Sequence, residues 1–393
     1  MKALTPLCCI VYGELQFHNS KFFLQRYNKF AIYDLRFTIF LYLCSDFSII
    51  KDMKTIKAPY YLVPIAVCLL GIAGLVYYYF FQDFSKEEAV TYLYIDDDDT
   101  ADSVYVKLEP IATGHGLTGL KCLARQWGYQ DHVRTGRYAI QPDENVITIF
   151  RNLKNGHQEA EMLTIPESRT MERLAGSLAR KLMLDSLTIA ASLTDNDFCG
   201  RWGYDTATIT SLFVPNTYEV YWNIGLDALM ERMQKEHNRF WNDDRLAKAD
   251  ALGLTPNEVC TVASIIDEET ANNDEKPMIA GMYLNRLKMG MPLQADPTIK
   301  FAMKQFELKR IYHDMLYYDS PYNTYQNPGL PPGPIKIASI KGIDAVLDRV
   351  EHDYLYMCAK EDFSGTHNFA RTYSEHLKNA ARYSKALNER GIK

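Results

Sequence analysis

The sequence predicts an α+β protein carried on a single N-terminal transmembrane helix. Three observations lead there. Residues 58–81 hold no charged side chain. After them, short β-rich runs alternate with amphipathic helical runs. Beyond residue 186 helices dominate, joined by loops dense in Pro and Gly.

The uncharged run, APYYLVPIAVCLLGIAGLVYYYFF, exceeds the roughly 20 residues that cross a bilayer. Tyr60, Tyr61 and Tyr77–Tyr79 stand at its ends, where interfacial aromatics belong, and Pro64 falls in its first turns. Lys51, Lys54 and Lys57 precede it, while Asp83, Glu87 and Glu88 follow it. This asymmetry predicts a cytoplasmic N-terminus (residues 1–57) and an extracytoplasmic part from residue 82 to 393. The run is long for a signal peptide and lacks an A-x-A-like end, so it is expected to stay as an anchor. Residues 1–52 mix aromatics with charge and show no period. They read as an upstream extension of the gene with Met53 as the natural start, a short cytoplasmic segment being the alternative.

The net charge of the 393-residue chain is −6. Residues 1–57 carry eight Lys/Arg against four Asp/Glu, a local +4, which leaves −10 on the rest. An acidic exterior without a basic run argues against nucleic acid as a partner. Cys122, Cys199, Cys260 and Cys358 are widely spaced with no CxxC, so they are expected as mostly buried thiols, one bridge among them being the alternative. HExxH, P-loop and GxSxG patterns are absent, and neither a metal nor a cofactor is expected.

In the exterior part, Tyr92–Ile95 reads as a strand and Asp96–Asp99 as a solvated turn whose spacing does not fit a calcium loop. Ser103–Leu108 alternates like a second strand, and Leu117–Trp127 has a helical period. Gly136–Ile140 reads as a strand, Asn145–Asn155 as a helix closed by Gly156, Ala160–Ile165 as a strand, and Met171–Leu184 as a helix. From about 186 to 254 the chain reads as mostly helical, interrupted by Phe213–Tyr218, with Met230–Leu246 as an amphipathic helix. Lys276–Lys288 is a helix ending at Gly290. Tyr354–Ala359 is a strand, and His367-Asn368-Phe369 begins its partner.

One helix carries the chemical clue. In Thr255–Thr270, Thr255 is the N-cap, Pro256 suits the first helical position, and Glu258 sits where a capping box needs it. At about 100° per residue, Val262, Ile265, Ile266 and Glu269 share one side. Glu268 falls opposite as a solvated charge, and Asp267 lies on a flank. A carboxylate held beside apolar groups is desolvated, its pKa rises, and it becomes a proton donor near neutral pH, a helix-end charge reaching back to water being the alternative for Glu269. The loops that follow hold Gln294, Asp296, Asn323, Thr324 and Tyr325 at spacings no regular element explains. Stiff loops bearing polar and aromatic groups suit a sugar cleft; the 27 tyrosines of the chain fit sugar-binding or chain-binding surfaces and core filling alike.

Five segments together resemble the endolytic murein transglycosylase family, the MltG or YceG-like proteins. They are FVPNTYEVYW (213–222), VASIIDEET (262–270), NRLKMGMPLQADPT (285–298), YNTYQNPGLPPGP (322–334) and YLYMCAKEDFSGTHNFARTYSEH (354–376). The resemblance runs over about residues 58–390, with GRYAIQP and LTIPES as landmarks of a small LysM-like α/β module expected at 84–160. A lytic-transglycosylase-type α+β catalytic domain is then expected at 161–393.

The family's run ASIVEKET places its single catalytic Glu on Glu269. Here Asp267-Glu268 replaces Glu-Lys, which implies a more acidic setting and a higher Glu269 pKa. Asn216 stands where Asp is common, Ile337-Ala338 where Pro-Gly is usual, and Leu377 where Asn is usual. The resemblance implies a lyase that cuts peptidoglycan glycan strands between MurNAc and GlcNAc without water, leaving a 1,6-anhydro end. Gln294, Asp296, Asn323, Thr324, Tyr325 and His367 are the expected substrate contacts, the alternatives being loop hydrogen bonding for Gln294, Asn323 and Tyr325, a loop cap for Asp296 and a structural strand-start role for His367. Peptidoglycan synthases are implied as neighbours. A water-using muramidase and a non-catalytic wall-binding scaffold are the alternatives.

Overall fold

The computed structural model describes residues 59–308 and 310–390. The positively charged flank before residue 58, and the reading of residues 1–52, lie outside the described residues. The chain divides after Leu75 into two units. The first holds most of α1 (Pro59–Phe80), whose stretch Leu62–Phe80 is the one helix among the described residues long and apolar enough to cross a membrane.

The second unit is a mixed α+β body with three hydrophobic cores. The first core lies under the antiparallel pair β1 (Thr91–Ile95) and β2 (Gly136–Ile140), with Leu93 opposite Tyr138. Helices α2 (Ala101–Leu108), α3 (Gly114–Gln126) and α4 (Val146–Asn155) close it with Val104, Leu108, Leu120, Ile149 and Leu153. The order is therefore strand, helix, helix, strand, helix. The strand expected at Ser103–Leu108 is a helix instead. Thr100 and Ser103 form a reciprocal capping box that starts it, and one face of the segment (Ala101, Val104, Tyr105, Leu108) packs inward at helical spacing. The acidic turn before it is not simply solvated. Asp99 takes the Ser103 hydroxyl at 2.7 Å and pairs with Lys107, and its side chain is only 5% exposed.

The second core is built from β3 (Glu161–Thr164) paired antiparallel with β4 (Thr217–Val220), and from α5 (Met171–Ala179), α6 (Ser186–Leu193), α7 (Asn196–Gly200) and α8 (Leu226–Phe240). Helix α5 is shorter than its pattern predicts, because Met183 turns away to donate to the Trp222 carbonyl at 2.8 Å. The helix expected at Met230–Leu246 is two. Trp241 ends α8, and Asn242 caps α9 (Asp243–Leu252) through its side chain at 3.0 Å from the Arg245 N–H.

The third core surrounds α10 (Pro256–Glu269). Every residue from Val259 to Ile266 is buried, so this helix is enclosed on all sides. The predicted cap is present: Thr255 and Glu258 bond reciprocally, at 3.3 and 2.7 Å. Helices α11 (Lys276–Lys288), α12 (Asp296–Ala302) and α13 (Ile340–Leu347) pack around it. The hairpin of β5 (Tyr356–Ala359) and β6 (His367–Ala370), backed by α14 (Tyr373–Glu389), completes this part. Inside α10, the Ser264 hydroxyl donates to the Thr261 carbonyl at 2.7 Å and accepts the Ile335 N–H at 3.0 Å. Ile335 belongs to the third core and Ile337 to the second, so alternate side chains of one short segment serve both. Ile337 is fully buried and donates its N–H to the Ser168 carbonyl.

Among the described residues the cysteines are free thiols. Of the four expected to be mostly buried, Cys199 and Cys260 are buried, Cys122 is exposed and Cys358 is partly so.

The Pro-rich loop depends on one close approach. A Cβ at Gly333 would stand 2.1 Å from the Ala207 carbonyl oxygen, whereas a Cβ at Gly176 within α5 would meet nothing within 4 Å. Gly333→Ala should therefore destabilise the protein by about 1–3 kcal/mol. Gly176→Ala should be neutral or stabilising by about 0.5–1 kcal/mol. Thermal unfolding of the two variants in detergent checks the contrast.

Candidate active site

The last turn of α10 carries Asp267, Glu268 and Glu269 at the helix end whose dipole disfavours negative charge. Two of the three are neutralised. Asp267, 2% exposed at the side chain, pairs with Lys276 at 2.7 Å. It also accepts the Ser339 N–H and hydroxyl, at 2.6 and 2.8 Å, at the start of α13. Glu268 takes a bidentate contact from Arg169 at 3.0 and 2.8 Å, and Lys336 lies 3.6 Å away. Both findings correct the sequence reading. Glu268 is a tether to the second core rather than a solvated charge. Asp267 is spent on Lys276 and α13, and the pKa of Glu269 is not governed by it.

Glu269 alone has no cationic partner within ion-pair distance among the described residues. Its Oε1 accepts the Tyr283 hydroxyl at 2.8 Å, from a tyrosine that is 2% exposed. Burial pushes the Glu269 carboxyl up to about 7; the Tyr283 bond pulls it back, Asp296 pushes it up again, and His367 and Lys300 lower it. Burial, and then the neighbouring Glu269, push the Tyr283 hydroxyl well above its ordinary range, so it remains a donor. The result is a carboxyl that exchanges its proton near neutral pH.

A cleft of about 240 Å³ opens at Glu269, and Tyr283, Arg286, Gln294, Asp296, Tyr325 and His367 line it, with Met357–Ala359 of β5 beside them. Asp296 opens α12 and accepts the Tyr325 hydroxyl at 2.6 Å. Gln294 is a non-glycine residue with φ 53°, in the left-handed region, which costs of order 1 kcal/mol. Its N–H is held by the Thr324 carbonyl at 3.1 Å. His367, at the start of β6, meets buried Glu275 twice: ring Nδ1 at 2.9 Å and backbone N–H at 2.6 Å. That pairing fixes the ring and leaves Nε2 without a hydrogen-bond partner among the described residues.

The structure therefore brings Glu269, Gln294, Asp296, Tyr325 and His367 together, and does not bring Asn323 or Thr324 to the cleft. Asn323 is 0% exposed; its amide donates to the Leu316 and Tyr318 carbonyls at 3.0 and 2.8 Å and its oxygen accepts the Tyr325 N–H at 2.9 Å. Thr324 is 1% exposed and bonds the Ala295 N–H and the Thr298 hydroxyl, at 3.0 and 2.9 Å. In place of the expected substrate contacts, these two side chains hold the loops that present Tyr325 and Gln294. Sequence reasoning missed Tyr283 and Arg286. Their spacing on α11, four and seven residues after buried Ile279, puts them on its inward side, but that pattern reads equally well as core.

The raised carboxyl has a consequence for stability. Unfolded, Glu269 titrates at about 4.3. Folded, it titrates at about 7. The folded state thus holds more proton between these values, so the stability this group contributes is fully present below the lower value and is lost as pH rises through the upper one. Glu269→Gln should accordingly stabilise the protein at pH 8 relative to pH 4, by on the order of 1–3 kcal/mol. Denaturant titrations of both proteins at the two pH values measure the difference.

The family model described as "YceG-like family" matches residues 93–382 of the chain. The endolytic murein transglycosylase of Bacillus subtilis strain 168 is 29% identical over 273 residues, which is 65% of this chain and 75% of that protein. The endolytic murein transglycosylase of Streptococcus pneumoniae strain D39 is 25% identical over 303 residues, which is 68% of this chain and 54% of that protein. The chain thus spans about half the length of the streptococcal relative. A crystal structure of a YceG-like protein from Listeria monocytogenes is 24% identical with TM-score 0.48, covering 74% of this chain and 99% of that one. With more than half of its residues matched by that family model, the chain belongs to the YceG-like family.

Proposed function

We propose that the protein is a membrane-anchored endolytic murein transglycosylase that cuts peptidoglycan glycan strands between MurNAc and GlcNAc. The observation that carries this reading is Glu269: a carboxyl raised to about 7, with no cation within ion-pair distance among the described residues, opening on a cleft lined by polar and aromatic groups. Both relatives described above are named for this activity.

In the proposed reaction, protonated Glu269 gives its proton to the glycosidic oxygen as the bond from that oxygen to MurNAc C1 breaks. Oxocarbenium-like charge develops on the sugar. The MurNAc C6 hydroxyl then closes on C1 and surrenders its proton to the Glu269 carboxylate, which restores the acid and leaves a 1,6-anhydro ring. No water enters, and one residue serves as acid and then base. Gln294, Asp296, Tyr325 and His367 bind the sugars, with Asn323 and Thr324 holding the loops beneath them. The α1 helix is the single-pass anchor, the N-terminus cytoplasmic. Residues 84–160 form a LysM-like module and residues 161–393 the catalytic domain.

The presence of Asp296 in the same cleft favours one second reading, a water-using muramidase, because hydrolytic glycosidases work with two carboxyls. Product mass separates the two. Cleavage by the full chain in detergent should give strand ends one water lighter than a reducing MurNAc; reducing ends would establish the hydrolase. Glu269→Gln should lower turnover by about 10²–10⁴-fold, and undiminished cleavage would remove Glu269 from the mechanism. Because the first step needs the protonated form, kcat/KM should fall above pH 7. Tyr283→Phe removes the bond that lowers the Glu269 pKa, so the midpoint of that falling limb should move to higher pH. A pH–rate profile of the variant tests the direction.

A further inference from the structure

Arg286 is a buried cation with an unusual set of partners. It is 7% exposed, and no carboxylate lies within ion-pair distance of it among the described residues. Other buried cations are paired: Lys276 with Asp267, Lys336 with Glu167, and Arg137 with Glu161. A buried charge left without a counter-ion is costly unless dipoles or a ligand meet it. Part of that demand is met by backbone carbonyls. Nε donates to the Leu355 carbonyl at 2.6 Å, and Nη1 donates to Pro292 and Leu293 at 3.2 and 2.7 Å, with a longer contact of 3.5 Å to Gln294 Oε1. These contacts occupy Nε and Nη1. Nη2, with two N–H groups, donates to no protein atom among the described residues, and Arg286 lines the cleft that opens at Glu269.

A guanidinium has only donors to offer, and its flat fork suits flat acceptors, carbonyls and carboxylates, better than ring hydroxyls. On the sugars of a glycan strand such oxygens occur on the acetamido groups and on the lactyl group of MurNAc. We infer that Arg286 is a substrate-recognition residue whose Nη2 donates to an acetamido or lactyl carbonyl oxygen of the sugar bound beside Glu269. The inference rests on the glycan-strand reading above. It gives Arg286 two tasks at once. One part of the guanidinium joins the loop 292–294 to the chain entering β5, and the other reads a substituent of the sugar.

The test is a cycle between protein and substrate, because a direct contact makes the two changes non-additive. Initial rates are measured for the full chain in detergent, and for Arg286→Lys, on three strands: native, de-N-acetylated, and amidase-trimmed to a free lactyl carboxylate. Arg286→Lys should lower kcat/KM on native strands by about tenfold or more, the value of about 1.4 kcal/mol for one contact. If the acetamido oxygen is the partner, that loss shrinks at least threefold on de-N-acetylated strands. If the lactyl oxygen is the partner, the loss grows at least threefold on trimmed strands, where the bond becomes charge-assisted. A loss that stays within threefold on all three strands overturns the inference, since a loosened cleft wall is blind to the substituents. Should Arg286→Lys fail to fold by thermal melting, binding of the three strands to Glu269→Gln decides. A change of threefold or more with either edit supports the contact, and smaller changes overturn it. Failure of the unaltered chain to cut native strands would remove the proposed function itself, an outcome visible before any variant is compared.

Discussion

Everything in the site depends on how the negative end of one helix is neutralised. The final turn of α10 places three carboxylates in succession where the helix dipole already disfavours anions. Among the described residues, cations pair with the first two and none lies within ion-pair distance of the third. Lys276 and the start of α13 hold Asp267; Arg169 and Lys336 hold Glu268. These ties come from different directions, so they fix the rotation of the last turn as well as its charge. Glu269 is thereby aimed at the cleft, with the Tyr283 hydroxyl as its one side-chain hydrogen-bond partner among the described residues. Had a lysine reached it, the carboxylate would be permanent and no acid would remain.

The opposite wall is held by a different kind of bonding. Arg286 fastens to three backbone carbonyls, Asn323 to two, and Thr324 to the Ala295 N–H. Carbonyls and amides of the chain cannot swing away as side-chain carboxylates can. The wall is thus set by the path of the loops, and those loops are stiffened by their prolines. The left-handed Gln294 is the visible strain in this arrangement. Its N–H is held by the Thr324 carbonyl, and Thr298 steadies the Thr324 side chain from below.

Much of this was legible in the sequence where the cause is local. The cap of α10, its Pro at the first position and the inward face of Glu269 follow from spacing alone, and the strands at 91–95, 136–140 and 367–370 fall where β-rich runs predict them. Where the cause is distant, the reading failed. Glu268 reads as a solvated charge on the helical wheel because its partner Arg169 lies 99 residues away. The part played by Asp267 stays open in the sequence because Lys276 and Ser339, which bind it, are invisible from a helical wheel. Asn323 and Thr324 looked like sugar ligands because a polar side chain in a stiff loop has the same signature whether it faces outward or props the loop from beneath. The segment 101–108 alternates well enough for a strand, yet the Thr100–Ser103 box and the inward helical face decide for helix.

The short segment at 335–337 has a mechanical meaning beyond its place in two cores. Ile335 is anchored to α10 through the Ser264 hydroxyl, and two residues later Ile337 is buried among the side chains of the second core. Lys336 between them reaches Glu167 and Glu268. Three consecutive residues thus act as a rivet through both layers. The second core is thereby tied to α10 at Ser264 and at Glu268, so the placement of the helix that carries Glu269 rests on both layers.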